Sequence, residues 1–187
     1  MAVTLGTVAP IGFDDFADPA WLNCMKQLGA TSVQVYRNRN GNDSAHDGAV
    51  TIEQMIDHVA AGGLPCDSIH ALYGNDLDPS NPIESARHAA VETFKAEGYL
   101  ARKLGGSIAV VHCAGIYREG LPDAERDLRR KQLFKSMVEL GEFGADLDVK
   151  FAFENLPPYH AVGFDVARLA EMIRRVNSPY VGMCFDV

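Results

Sequence analysis

Leu104-Gly105-Gly106-Ser107-Ile108-Ala109-Val110-Val111-His112 holds a helix end, a stop and a buried strand in consecutive positions. The paired glycines accept the left-handed backbone that ends a helix. The apolar run after them has the length and β-branched content of a strand covered on both faces, and a polar residue closes it. Upstream, Asn81-Pro82-Ile83-Glu84 offers an N-cap, a proline for the first helical position and an acidic first turn. The spacing therefore predicts a helix over Pro82–Leu104 delivering the chain into a strand over Ile108–Cys113.

The same order recurs along the chain. Strands are expected near Thr4–Ile11, Ser32–Tyr36, Asp67–Leu72, Ile108–Cys113, Val149–Glu154 and Tyr180–Asp186. The helices between them fall near Pro19–Leu28, Ile52–Ala61, Pro82–Leu104, Asp123–Phe143 and Asp165–Val176, with Gly29 and Gly62-Gly63 as further stops. Strand starts spaced roughly 30 to 40 residues apart suit repeated βα units on a parallel sheet, either a barrel or an open doubly wound sheet. The chain contains neither a G-x-G-x-x-G nor a G-x-x-x-x-G-K-[ST] pattern, which removes the main support for a nucleotide-binding fold.

With 187 residues, 47% hydrophobic and 22% charged, the composition is that of one globular domain. No basic leader followed by an apolar stretch opens the chain, and no membrane-length apolar run follows, so a cytoplasmic protein is expected. Cys24, Cys66, Cys113 and Cys184 form no CxxC pair and read as reduced packing residues. A formal charge of −8 works against a nucleic-acid partner and suits a small neutral or weakly charged substrate.

Both parallel architectures gather their sites at the carboxyl ends of the strands. Those ends supply His70, His112, Glu154 and Asp186. An ionisable group on such a strand is costly unless it is paired or coordinates a cation, and two imidazoles with two carboxylates suit Mn, Co, Zn or Mg. A lone strand histidine is often a core residue bonded to a carbonyl; a carboxylate inside Phe151-Ala152-Phe153-Glu154 is harder to explain that way. His58 and His88 fall in helical stretches and read as structural. A polar loop around His46, with Arg37 and Arg39 at its start, is placed to cover the site, and Arg174-Arg175 suits a helix C-terminus.

The segment Phe94–Gly106 leading into Val110-Val111-His112, then Phe153-Glu154-Asn155-Leu156, then Asn177–Asp186, resembles the xylose isomerase-like TIM-barrel superfamily over about residues 67 to 187. That group includes ketose 3-epimerases, hydroxypyruvate isomerases and the endonuclease IV repair enzymes. The resemblance implies a (β/α)8 barrel, of which about six βα units are present, and a divalent metal ion held by Glu154 and Asp186. It further implies that Glu154 takes part in proton transfer and that His70 and His112 line the substrate pocket, as in the epimerase branch; in the repair branch they bind metal. Gln34 stands where the group often has glutamate.

The expected activity is metal-dependent isomerisation or epimerisation of a sugar or sugar phosphate through an enediolate, in a protein that is free to form a homo-oligomer. A zinc-dependent abasic-site endonuclease and a non-catalytic binding barrel are the alternatives. Residues 1–187 are expected to be a single barrel domain incomplete at its C-terminus, because a closed barrel needs eight strands and typically about 250 residues. The resemblance implies a further histidine and glutamate beyond Val187.

Overall fold

The computed structural model describes residues 5–11, 19–37, 52–117 and 120–187. Strands and helices alternate as β1 (Gly6–Ile11), α1 (Pro19–Gln27), β2 (Ser32–Arg37), α2 (Ile52–Gly62), β3 (Cys66–His70), α3 (Glu84–Lys103), β4 (Ile108–His112), α4 (Asp123–Leu147), β5 (Lys150–Glu154), α5 (Val166–Val176) and β6 (Val181–Cys184). Thr4, Arg39, His46 and the loop around them lie outside the described residues.

The strands form one sheet in the order β1-β2-β3-β4-β5-β6, each pair parallel. A doubly wound sheet reverses its strand order at a switch point, whereas sequential order is that of a barrel wall. The fold is therefore TIM-barrel-like. Period-2 alternation sends successive side chains to opposite faces. Ile69, Val111, Phe151 and Phe153 are fully buried in a cluster with Phe94 of α3 and Leu133, Met137 and Leu140 of α4. Their neighbours in sequence, His70, Val110, His112 and Glu154, line a cavity on the opposite face. Among the described residues no helix is long and apolar enough to cross a membrane.

Several boundaries differ from the sequence expectation. Helix α3 begins at Glu84, not at Pro82, because the Asn81 side chain accepts from the backbone N–H of Ile83 at 2.9 Å and closes a turn ahead of the helix. Helix α4 runs through Gly144 to Leu147 and stops at Asp148, which takes the left-handed conformation at φ 58°. Gly144 is there for a close approach: a Cβ on it would collide with the carbonyl oxygen of Val149. Gly98 of α3 serves the same purpose, since its Cβ would lie 2.8 Å from Cζ of Phe151. Strand β6 ends at Cys184, and Asp186 leaves the ladder for a side-chain contact described below.

The cysteines are free, with Cys66 and Cys113 buried and Cys24 exposed. Burial pushes the Cys66 thiol up to about 11, which keeps it protonated at neutral pH. His88 is exposed on α3, and Arg175 of α5 lies over the Phe134 ring at 5.1 Å.

Replacing Gly144 by alanine gains about 1 kcal/mol of helix propensity. It must also displace a backbone carbonyl, and overpacking of that kind costs about 1–3 kcal/mol. Thermal melting should show a Tm lowered by a few degrees; an unchanged or raised Tm would mean that α4 does not approach β5 this closely.

Candidate active site

The register sets Tyr36 beside His70 and His112 beside Glu154 at the carboxyl rim of the sheet. Together with the connections that follow the strands they enclose a cavity of about 530 Å³. At its floor, the Glu154 carboxylate lies between two imidazoles: Oε2 is 3.1 Å from Nε2 of His70 and 3.3 Å from Nε2 of His112. Burial raises the pKa of Glu154, but the hydrogen bonds and charge of His112 and His70 outweigh it and hold the carboxyl at about 2.

On the far side of the His70 ring, Nδ1 lies 3.0 Å from the carbonyl oxygen of Ala71. A carbonyl only accepts, so Nδ1 carries a proton; Nε2 donates to Glu154 when the ring carries a second proton and offers it a lone pair when it does not. Two acceptors at that separation need a proton or a cation between them. A ligating histidine anchored through its other nitrogen to a carbonyl is also the usual outer shell of a metal centre. The three donor atoms of His70, His112 and Glu154 lie within 4.8 Å of one another, a spacing that suits bonds of about 2.0–2.2 Å to one ion. The donor set therefore fits a divalent metal.

Asp186 lines the same cavity but stands apart from this trio. Asn155, the residue after Glu154, grips its backbone: Nδ2 donates to the Asp186 carbonyl and Oδ1 accepts its N–H, both at 2.8 Å. The Asp186 carboxylate accepts from the N–H of Val187 at 3.0 Å. Side-chain clamping thus continues the β5–β6 connection beyond the last strand pair and leaves an exposed carboxylate at the rim.

Tyr36, Tyr73, Asn75 and His160 also line the cavity and were not among the sequence candidates. Tyr36 and Tyr73 share a 2.6 Å hydroxyl hydrogen bond, and Tyr73 stacks on His112 with ring centroids 4.5 Å apart. Burial, then the bond to Tyr73, pushes the Tyr36 phenol above its ordinary value. Asn75 accepts from the N–H of Ile116 at 2.8 Å. His160 is buried edge-on to His112 at 6.1 Å, with Nδ1 3.2 Å from the carbonyl oxygen of Pro157; burial lowers its pKa. Tyr36 was legible as the last residue of the strand expected from sequence, which runs one residue further to Arg37. The other three sit in connections whose path no periodicity reveals. Gln34, the departure noted in β2, donates to Ser68 at 3.1 Å and lines the cavity.

Comparison with known proteins agrees with the fold. The family model described as xylose isomerase-like TIM barrel matches residues 22–187. An uncharacterized protein of Methanocaldococcus jannaschii is 27% identical over 120 residues, which is 64% of this chain and 40% of that protein. A D-tagatose 3-epimerase-like protein superposes with a TM-score of 0.75 at 19% identity, over 99% of this chain and 65% of that one. The 3-keto-D-glucoside 4-epimerase YcjR from E. coli gives a TM-score of 0.75 at 19% identity, over 99% of this chain and 68% of its own. The D-allulose 3-epimerase from Methylomonas sp., in complex with D-allulose, gives 0.70 at 14%, over 99% and 63%. This chain thus spans about two thirds of those structures.

The depressed Glu154 pKa has a testable sign. An unfolded glutamate titrates at about 4.3, so the ionised form contributes stability fully above that value and loses it as pH falls through about 2. The Glu154 carboxyl ¹³C resonance should still report the ionised form at about pH 3. A midpoint in the ordinary range would show that the imidazoles do not hold the carboxylate.

Proposed function

The chain belongs to the xylose isomerase-like TIM-barrel family, and from that footing we propose that it serves a divalent-metal-dependent isomerase or epimerase acting on a small sugar or sugar phosphate. The observation that carries this reading is the Glu154 carboxylate, held between His70 and His112 at the floor of a cavity whose rim bears Asp186. The described lining is rich in hydroxyl, amide, imidazole and carboxylate groups, a set suited to a polyol.

Glu154 and Asp186 would hold the ion, with His70 and His112 beside the same carboxylate. When bound, the metal supplies the Lewis acidity that stabilises an enediolate. Glu154 accepts the proton from the carbon beside the carbonyl and returns it. The imidazoles that lower its pKa also restrain its basicity, so a substrate hydroxyl that engages His112 or His70 frees a carboxylate lone pair for this step. Tyr73 and His160 close one side of the cavity and bind hydroxyls.

A second reading, metal-assisted phosphodiester hydrolysis at a His70–His112–Glu154 centre, draws on the tight grouping of those three residues. The net charge of −8 weighs against a duplex substrate.

Calorimetric titration with Mn or Co separates the two ligand sets. If Glu154 and Asp186 hold the ion, Glu154→Gln with Asp186→Asn should lower affinity by about 10-fold or more. An unchanged affinity would remove both from the metal site. Loss of binding with His70→Ala but not with Asp186→Asn would favour the trio.

Incubation with a small ketose in deuterated water should place deuterium beside the carbonyl. Glu154→Gln should slow this exchange by about 100-fold or more, because the amide cannot take up the proton. Wild-type exchange in that variant would dismiss Glu154 as the acid/base.

A further inference from the structure

The mechanism makes no use of a buried ion pair near the cavity, Asp78 with Arg129. The two residues are 1% and 4% exposed, and Nη1 of Arg129 donates to Oδ2 of Asp78 at 2.8 Å. Such a pair loses its hydration on folding, and packed apolar side chains would often stabilise the same space as well. What the pair adds is direction, and its contacts reach all three connections that wall one side of the cavity.

The first is the segment between β3 and α3. Oδ1 of Asp78 accepts from the N–H of Ser80 at 2.8 Å and from its hydroxyl at 2.6 Å, which fixes the turn following Tyr73 and Asn75. The second is the segment between β4 and α4: the Tyr117 ring lies under the Arg129 guanidinium at 4.2 Å, with its hydroxyl 3.4 Å from Oδ2 of Asp78. The third, between β5 and α5, is tied to the second through backbone. The N–H of Tyr117 donates to the Tyr159 carbonyl at 2.7 Å, Ile116 forms an antiparallel bridge with His160, and the N–H of Ala161 reaches the Gly115 carbonyl at 3.3 Å. Asn75 closes the circuit through the N–H of Ile116.

We infer that the Asp78–Arg129 pair is a positioning device, which locks these connections together and so sets Tyr73, Asn75 and His160 against the substrate. His70, His112 and Glu154 are held separately by the strand ladder. The inference rests on the proposed sugar chemistry only for its kinetic consequence, and the geometric claim stands without it.

Asp78→Asn keeps an acceptor for Ser80 but removes the charge, and Tyr117→Phe removes a single hydroxyl from the same cluster should the first variant fold poorly. In imidazole ¹H–¹⁵N spectra recorded below the melting transition, the His160 signals should shift or broaden while those of His70 hold. With a ketose substrate, KM should rise about 10-fold with kcat within about twofold, since displaced positioning groups weaken binding while the strand-borne groups stay in place. A lower Tm with wild-type KM and unmoved His160 signals would reduce the pair to packing and overturn the inference, as would equal perturbation of all site histidines. If the wild-type protein turns over no ketose, the proposed activity fails, and the spectra still decide the positioning role.

Discussion

A carboxylate at the end of a parallel strand must be neutralised, and much of the site's design answers that demand on Glu154. The sheet supplies the answer from its own wall: β3 and β4 end in histidines whose Nε2 atoms meet the same carboxylate oxygen. One ring is locked through its other nitrogen to the Ala71 carbonyl, which orients it toward the acid. The arrangement holds a strongly ionised group, already oriented, in a partly desolvated place that faces the cavity.

Stability and chemistry are divided between the two faces of the sheet. The outer face carries Phe151 and Phe153 into a dry layer under α3 and α4, and glycines within those helices let the backbones approach until side chains fill the gap. The inner face gives up apolar burial at its carboxyl rim for imidazoles, hydroxyls and carboxylates. Because adjacent residues point to opposite faces, β5 serves both purposes within one short run.

The connections are the less regular part, and they are restrained by polar contacts where hydrogen-bond ladders cannot reach. Asn155 extends the β5–β6 link by imitating a backbone partner for Asp186. Asp78 and Arg129 tie the connections that follow β3 and β4. A rigid ladder thus presents Glu154 and its histidines, and separately tethered connections line the rest of the cavity.

The alternation of apolar runs with helical periodicity determined the βα order, and the polar residue closing each run determined His70, His112 and Glu154 as site candidates; both are local properties that backbone geometry translates directly. Length and composition did not distinguish a barrel from a doubly wound sheet. Strand pairing settled that, since each run is compatible with either neighbour until long-range hydrogen bonds select one. The helix expected to end at Phe143 runs on through Gly144, because that glycine answers to the carbonyl of Val149, just ahead of the next strand, and not to a helix stop. Tyr73, Asn75 and His160 were silent for the same cause: irregular segments have no period, and a side chain there acquires its neighbours only when distant parts of the chain close around it. Asp186 stood in the sequence beside Glu154, and the tertiary structure lines one cavity with both; only there does Asn155 become the clamp that holds the Asp186 backbone beyond the ladder, a contact no local pattern announces.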